Sequence, residues 1–274
     1  GHGCGHNLFG AASVGGAIAL KQLMEKESLK GTLKLFGTPA EETIIGKVYM
    51  AKAGVFDGLD VVIEWHPGDE NEVRNQTGRA MNSFEVEFFG QAAHGAADPW
   101  NGRSALGAVE LMNYGVNMMR EHIQPAARIH YVIPSAGDAP NVVPEYARVW
   151  YFVRDINRDA VDKLYARVLK IAEGAALATE TTHKVHLITG VHEYLLNRPM
   201  QEALAENLEL VGAPQFTEQE QEFARSLQRS LNKPEKGFND KIKPLADEPG
   251  EVKGGSTDVA EVSWIVPTAG LPLR

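Results

Sequence analysis

Leu8, Ala11, Ala12, Ile18 and Leu23 recur at helical spacing, which predicts a helix over 8–27 with a small-residue face, stopped by Gly31. Leu33 to Phe36 reads as a short strand running into Gly37-Thr38-Pro39-Ala40-Glu41-Glu42. Val61 to Glu64 reads as a second strand, ending on Trp65-His66-Pro67. Alternating strands and helices with polar residues at the strand ends predict an α/β layer. From residue 82 the pattern changes. Phe84, Val86 and Phe88 alternate with Glu85 and Glu87, as in a half-buried strand. A helical stretch (103–121), alternating strands at 129–133 and 149–153, a helix over 161–178 opened by Asp159, and a strand at 185–188 follow. That βαββαβ order predicts a ferredoxin-like sandwich. Helix and loop signals resume near Pro199, so the sandwich reads as an insertion. The fold class is therefore α/β: a partial α/β domain with a mixed sheet over 1–80 and 194–274, interrupted by the βαββαβ unit over 81–193. Within 215–253, acidic and basic residues mix with Phe223, Leu227 and Leu231, which predicts an exposed helix and then a Lys/Pro-rich loop.

Composition narrows the class. With 43% hydrophobic and 23% charged residues, the 274-residue chain has the make-up of a globular protein. Its 27 basic against 36 acidic side chains give a net charge of −9, which argues against nucleic acid or anionic lipid as a partner. No apolar run is long enough to span a bilayer and no signal peptide is visible, so no membrane partner is expected. A lone cysteine, Cys4, excludes an internal disulfide framework and fits a reducing, cytoplasmic setting. Because the chain opens on Gly1 and not on Met, we expect its start to be cut from something longer.

Three short segments concentrate metal-binding atoms: Cys4 and His6, then Glu41 and Glu42, then His66. Each alone has an ordinary explanation, as a small hydrophobe, a satisfied histidine or a solvated acid. Together, thiolate, imidazole and carboxylate are the ligand set of a divalent ion such as zinc or manganese, and the glycines around Cys4 and His6 let backbone approach an ion closely. Adjacent carboxylates also allow one to bind metal while its neighbour takes a proton from water. A competing reading makes Cys4 a nucleophile with His6 as base. It leaves Glu41, Glu42 and His66 unexplained. Arg154 can grip a carboxylate bidentately, or simply pair with Asp155 or Asp159. Gly254-Gly255-Ser256-Thr257-Asp258 can turn N–H groups toward an anion, or cap a helix through Ser256 or Thr257. His122, His130, His183, His186 and His192 show no ligand spacing; His183 and His186 fall on opposite faces of a strand. Met112, Met118 and Met119 read as packing residues.

GHGCGHN at 1–7, TPAEE at 38–42 and WHP at 65–67 resemble the metal-site motifs of the dimetal aminoacylase/carboxypeptidase superfamily, in its amidohydrolase branch. The longer wording GHGCGHNLFGAAS, with Asn7 where most of that branch has Asp, and GGSTDVAEVSW at 254–264 are most similar to the aminobenzoyl-glutamate hydrolase group. The resemblance implies two divalent ions, Zn or Mn: Cys4 bridges them, His6 and His66 hold one, and Glu42 holds the other. It makes Glu41 the general base that activates the bridging water. It implies that the inserted unit is a lid and dimerisation domain, whose His94, in Gly90-Gln91-Ala92-Ala93-His94-Gly95, reaches the active site of the other protomer and stabilises the oxyanion. Asn141, Arg154 and Gly255 would hold the substrate's polar end. The implied activity is hydrolysis of a small-molecule amide, an N-acyl or aminobenzoyl amino acid or small peptide, by a homodimer, and a related but distinct polypeptide is a further implied partner. In the family a segment precedes the opening motif, and a last histidine ligand comes after the point where this chain ends. The expectation is therefore that the isolated chain is metal-poor and weakly active. A non-enzymatic reading of the same feature is a dimerising partner for a complete, active relative.

Overall fold

The structure is a computed structural model that describes residues 3–252 and 254–273. Gly1 and His2, the first letters of the opening motif, lie outside the described residues, as do Lys253 and Arg274.

The alternating segment folds as the period-2 pattern dictates. Strands β2 (Ala80–Phe89), β3 (Arg128–Ser135), β4 (Tyr146–Asp155) and β5 (Thr182–Val191) form an antiparallel sheet in the order β3-β4-β2-β5. Along β4 every second residue, from Ala147 through Val149, Tyr151 and Val153, points into the core, while Arg148, Trp150, Phe152 and Arg154 take the other face. Helices α3 (Ala105–Met119) and α4 (Arg158–Ala178) cover the apolar face. Fully buried Phe84, Val86, Phe88, Met112, Tyr151, Val161 and Val168 fill the space between. Met119 joins this core, whereas Met118 is exposed. Ser104 caps α3. Asn157 caps α4 by accepting from the Ala160 N–H, so the helix opens two residues before the expected Asp159, which lies in its first turn. His183 and His186 do occupy opposite faces of β5, with His183 beside the Phe88 ring and His186 on Glu87.

The second sheet is parallel and has two strands, β1 (Val62–Pro67) and β6 (Thr268–Leu273), in register from Val62↔Thr268 to Pro67↔Leu273. The molecule is thus a mixed α/β protein, with one parallel and one antiparallel sheet among the described residues. β6 carries no alternation to announce it. Conversely, Leu33–Phe36 forms no ladder, because a strand needs a neighbour's backbone to pair with and none of the described residues supplies one. Helix α1 (His6–Lys26) contributes no buried residue, and Leu8, Ile18 and Leu23 along it are about half exposed. It is fastened to β1 through Trp65, whose indole N–H donates to Ser13 Oγ at 3.2 Å. α5 (Arg198–Val211) and α6 (Glu218–Ser230) follow, the latter opened by a Thr217/Glu220 capping box. The exposed helix expected in 215–253 is α6, and a loop succeeds it.

Two short helices tie the sheets together. α2 (Gly46–Lys52) and α7 (Val259–Ser263) meet through a buried ion pair, with Lys47 Nζ 2.7 Å from Asp258 Oδ1, and the Lys47 N–H donates to Asp258 Oδ2. Thr189 of β5 donates to the Ile44 carbonyl at 2.8 Å. The turn that carries Glu41 and Glu42 is therefore held by both halves of the molecule. Among the described residues no helix is long and apolar enough to cross a membrane.

Candidate metal centre and active site

Gly5 separates Cys4 from His6 and adopts φ +71°, a left-handed conformation that an L side chain resists. A Cβ there would also press to 3.1 Å from Pro67 Cγ. This turn starts α1 and brings the Cys4 thiol and the His6 imidazole to the Glu42 carboxylate. One ligand atom from each of the three lies within 4.8 Å of the others. His6 Nε2 is 2.9 Å from Glu42 Oε1. Hydrogen bonds from Cys4 and His6 hold the Glu42 carboxyl below its usual range, and the bond to Glu42 pushes the Cys4 thiol up. His66, at the end of β1, is not in that triad. It is near enough for its charge to lower Glu42, and its ring meets Phe9 edge-on at 5.0 Å. Its Nδ1 donates to the Pro67 carbonyl at 2.6 Å, leaving Nε2 with the lone pair a metal needs. Sulfur, nitrogen and carboxylate oxygen converging at one exposed spot fit a borderline divalent ion.

Glu41 faces elsewhere. Its Oε1 accepts from Thr257 Oγ1 at 2.7 Å, while Oε2 stays 3.9 Å from His6 Nε2. Glu42 is thus engaged by Cys4 and His6, and Glu41 is oriented by a hydroxyl beside it. The turn that separates them is strained, since Ala40 and Ile44 on either side have φ of +60° and +56°. Such a conformation is unfavourable for any residue with a Cβ and most so for a β-branched one. Ile44 tolerates it because it is buried against Met81 and Val191. The bond from Thr257 to Glu41 is a contact of the candidate site that the sequence did not disclose. The Thr257 motif is visible, but 216 positions separate it from its partner.

His94 and Asn141 are adjacent, through a bridge between His94 and Val142 and a bond from the Gly95 N–H to the Asn141 carbonyl at 2.7 Å. His94 Nδ1 accepts from the Ala96 and Ala97 N–H groups at 3.2 and 3.1 Å, so the proton of the neutral ring sits on Nε2, exposed and ready to donate. Arg154 makes neither of the ion pairs open to it in sequence. Among the described residues its Nε donates to Met81 Sδ at 3.2 Å, and its guanidinium lies over the Phe152 ring. Gly255 packs against it, where a Cβ would stand 3.6 Å from Nη1. The Gly254–Asp258 loop thus joins Arg154 at one end to Glu41 at the other.

A family model described as peptidase family M20/M25/M40 matches residues 1–262. The chain belongs to that family. Among M20 relatives it is 39% identical to one of the subunits of p-aminobenzoyl-glutamate hydrolase of Escherichia coli (strain K12), over 98% of this chain and 61% of that protein. It is 32% identical to the Xaa-Arg dipeptidase of Homo sapiens, over 97% of this chain and 56% of that one. Its fold is similar to the crystal structure of an aminobenzoyl-glutamate utilization protein from Klebsiella pneumoniae, with a TM-score of 0.66 and 21% identity, over 93% of this chain and 61% of that one. The M20 chain described here therefore spans about 60% of the length of these relatives. The M20 match includes all three segments that carry the triad, Glu41 and His66.

Proposed function

We propose that the full-length protein is a metal-dependent amidohydrolase that cleaves the amide of an N-acyl or aminobenzoyl amino acid, or of a small peptide, in the cytoplasm. The observation that carries this reading is the convergence of Cys4, His6 and Glu42, with Glu41 beside them but turned to Thr257. Relatives named for hydrolysis of aminobenzoyl-glutamate, of Xaa-Arg dipeptides and of N-acetyldiaminopimelate support amide cleavage.

Cys4, His6, Glu42 and His66 would hold two divalent ions, Zn or Mn, which supply Lewis acidity toward the carbonyl and lower the pKa of water. Glu41 takes a proton from the attacking water and returns it to the departing amine. Thr257 fixes which carboxylate oxygen is free to do so. His94 Nε2–H, supplied by the other protomer of the dimer, donates to the oxygen on which negative charge develops, and Asn141, Arg154 and Gly255 seat the substrate's polar end. In this reading the chain divides into a catalytic domain over 1–80 and 194–274 and a lid and dimerisation domain over 81–193. The fold of that inserted unit, with its own core, supports the division. The chain is similar to two differently named components of one Escherichia coli hydrolase, which supports a related partner polypeptide in addition to the homodimer.

The test is chelation of the full-length protein. Loss of amide hydrolysis with a chelator and its return with Mn or Zn support the reading. Hydrolysis indifferent to chelation but abolished by alkylation of Cys4 rejects it.

A further inference from the structure

Two contacts that span 216 and 211 positions run side by side between the turn that carries Glu41 and the loop that opens α7. One is the bond from Thr257 Oγ1 to Glu41 Oε1 at 2.7 Å, between partly exposed residues. The other joins the next residue along, Asp258, to Lys47. Asp258 is wholly buried and both of its carboxylate oxygens meet Lys47, Oδ1 at 2.7 Å from Nζ and Oδ2 at 2.8 Å from the backbone N–H. Lys47 Nζ also donates to Thr38 Oγ1 at 3.4 Å, three residues before Glu41.

A hydroxyl bond at the edge of solvent competes with water and does not by itself hold two distant segments in register. A buried charge pair does, because either charge without the other is strongly unfavourable. Stability alone does not account for the pair, since apolar side chains of similar volume often hold a packed interface as firmly. What they lack is direction. A carboxylate met at both oxygens by one residue has a fixed orientation, and Thr257 is the residue next to it. The Thr257 hydroxyl accepts from the Val259 N–H at 3.4 Å, which leaves its proton for Glu41. On the other side, the chain between Glu41 and Lys47 is closed on itself. The Ile44 N–H donates to the Glu41 carbonyl at 2.7 Å, and a Cβ on Gly46 would stand 1.8 Å from the Pro39 carbonyl oxygen. A shift at Lys47 is therefore carried to Glu41.

We propose that Lys47 is a positioning residue of the candidate active site: through Asp258 it sets Thr257 on Glu41 Oε1, leaving Oε2 on the side of His6. This rests on the amidohydrolase reading and deepens it, since it names the group that stands behind the proposed general base.

The experiment removes the pair without stranding a charge. Lys47→Met/Asp258→Leu, Thr257→Val and the triple variant are compared with the natural sequence in the metal-loaded full-length protein, on an N-aminobenzoyl amino acid. The double variant should keep its metal and its KM and lose about 10–100-fold in kcat, the scale of a catalytic group displaced by about an ångström. Adding Thr257→Val should then lower kcat by less than about twofold, because the contact it deletes is already lost. An unchanged kcat in the double variant, or a Thr257→Val loss that multiplies in full on top of it, overturns the proposal. Where the double variant does not fold, Asp258→Asn, of nearly the same shape as the natural residue, is put through the same comparison and judged by the same two outcomes. A crystal structure of the full-length variant reads the positioning without turnover. Thr257 Oγ1 parted from Glu41 supports the proposal even where the natural sequence cleaves no amide, an outcome that would sink the amidohydrolase reading alone. The same bond intact at its natural length rejects the positioning role.

Discussion

Glu41 and Glu42 are adjacent in sequence and opposite in company, one held by Thr257 and the other by Cys4 and His6. Their replacement should separate two losses. Glu41→Gln should reduce kcat by about 10²–10⁴, the range of a positioned acid–base group, with metal content retained. His6→Ala should lose metal itself, read by elemental analysis of the purified protein. Thr257→Val, which removes only the hydroxyl, should lower kcat with little change in KM, and Thr257→Ser should restore it. A rise in KM alone would show that Thr257 binds substrate instead of orienting Glu41. The strain at Ala40 gives a stability counterpart. Glycine relieves a left-handed penalty of about 1–2 kcal/mol and returns about 0.5–1 kcal/mol in backbone entropy. Ala40→Gly should therefore raise stability by up to about 1 kcal/mol in denaturant unfolding. The convergence of Cys4, His6 and Glu42 was foreshadowed in the sequence, because glycines flank Cys4 and His6 and two carboxylates adjoin. Thr257 was not, since nothing local marks a hydroxyl as the partner of a side chain brought up by folding.

At the level of elements, α2 and α7 depend on a charge pair that water does not reach, with Asp258 wholly buried and Lys47 nearly so. Burial pushes the Asp258 carboxyl up and Lys47 opposes that shift. Breaking such a pair strands a charge, so Lys47→Met should destabilise by about 3–5 kcal/mol, and adding Asp258→Leu should recover much of it. Thermal unfolding of the single and double variants checks this; equal losses in both would place the effect in packing. β2 was legible through strict alternation along Phe84–Phe88, whereas Val149–Val153 of β4 is an unbroken apolar run whose alternation shows only in its burial. β6 was not legible, because Thr268-Ala269-Gly270-Leu271-Pro272-Leu273 lacks alternation and contains two residues that ordinarily argue against a strand. Its Gly270 is required by contact, since a Cβ would lie 2.0 Å from Glu64 Oε1, the oxygen that receives the Arg74 Nε–H. Leu33–Phe36 shows the converse. Apolar residues in a row state an inclination to pair, and pairing depends on what lies alongside.

Across the whole molecule, burial is uneven. The largest core belongs to the antiparallel sheet with α3 and α4, while α1, which carries His6, buries none of its residues. Amide hydrogen exchange of this chain should therefore show the strongest protection in β2 and β4 and early exchange through α1. Uniform protection across both regions would contradict that order. A metal ion held between Cys4, His6, Glu42 and His66 would join the start of α1 to β1 and to the strained glutamate turn, and so should slow exchange at all three together. The most direct measurement is the metal content of the full-length protein, taken together with its turnover. Two divalent ions per chain are expected, with amide hydrolysis that disappears on chelation and returns with Mn or Zn, and with loss of those ions on His6→Ala. Undiminished hydrolysis in metal-free protein, with or without His6, would contradict a metal-dependent mechanism.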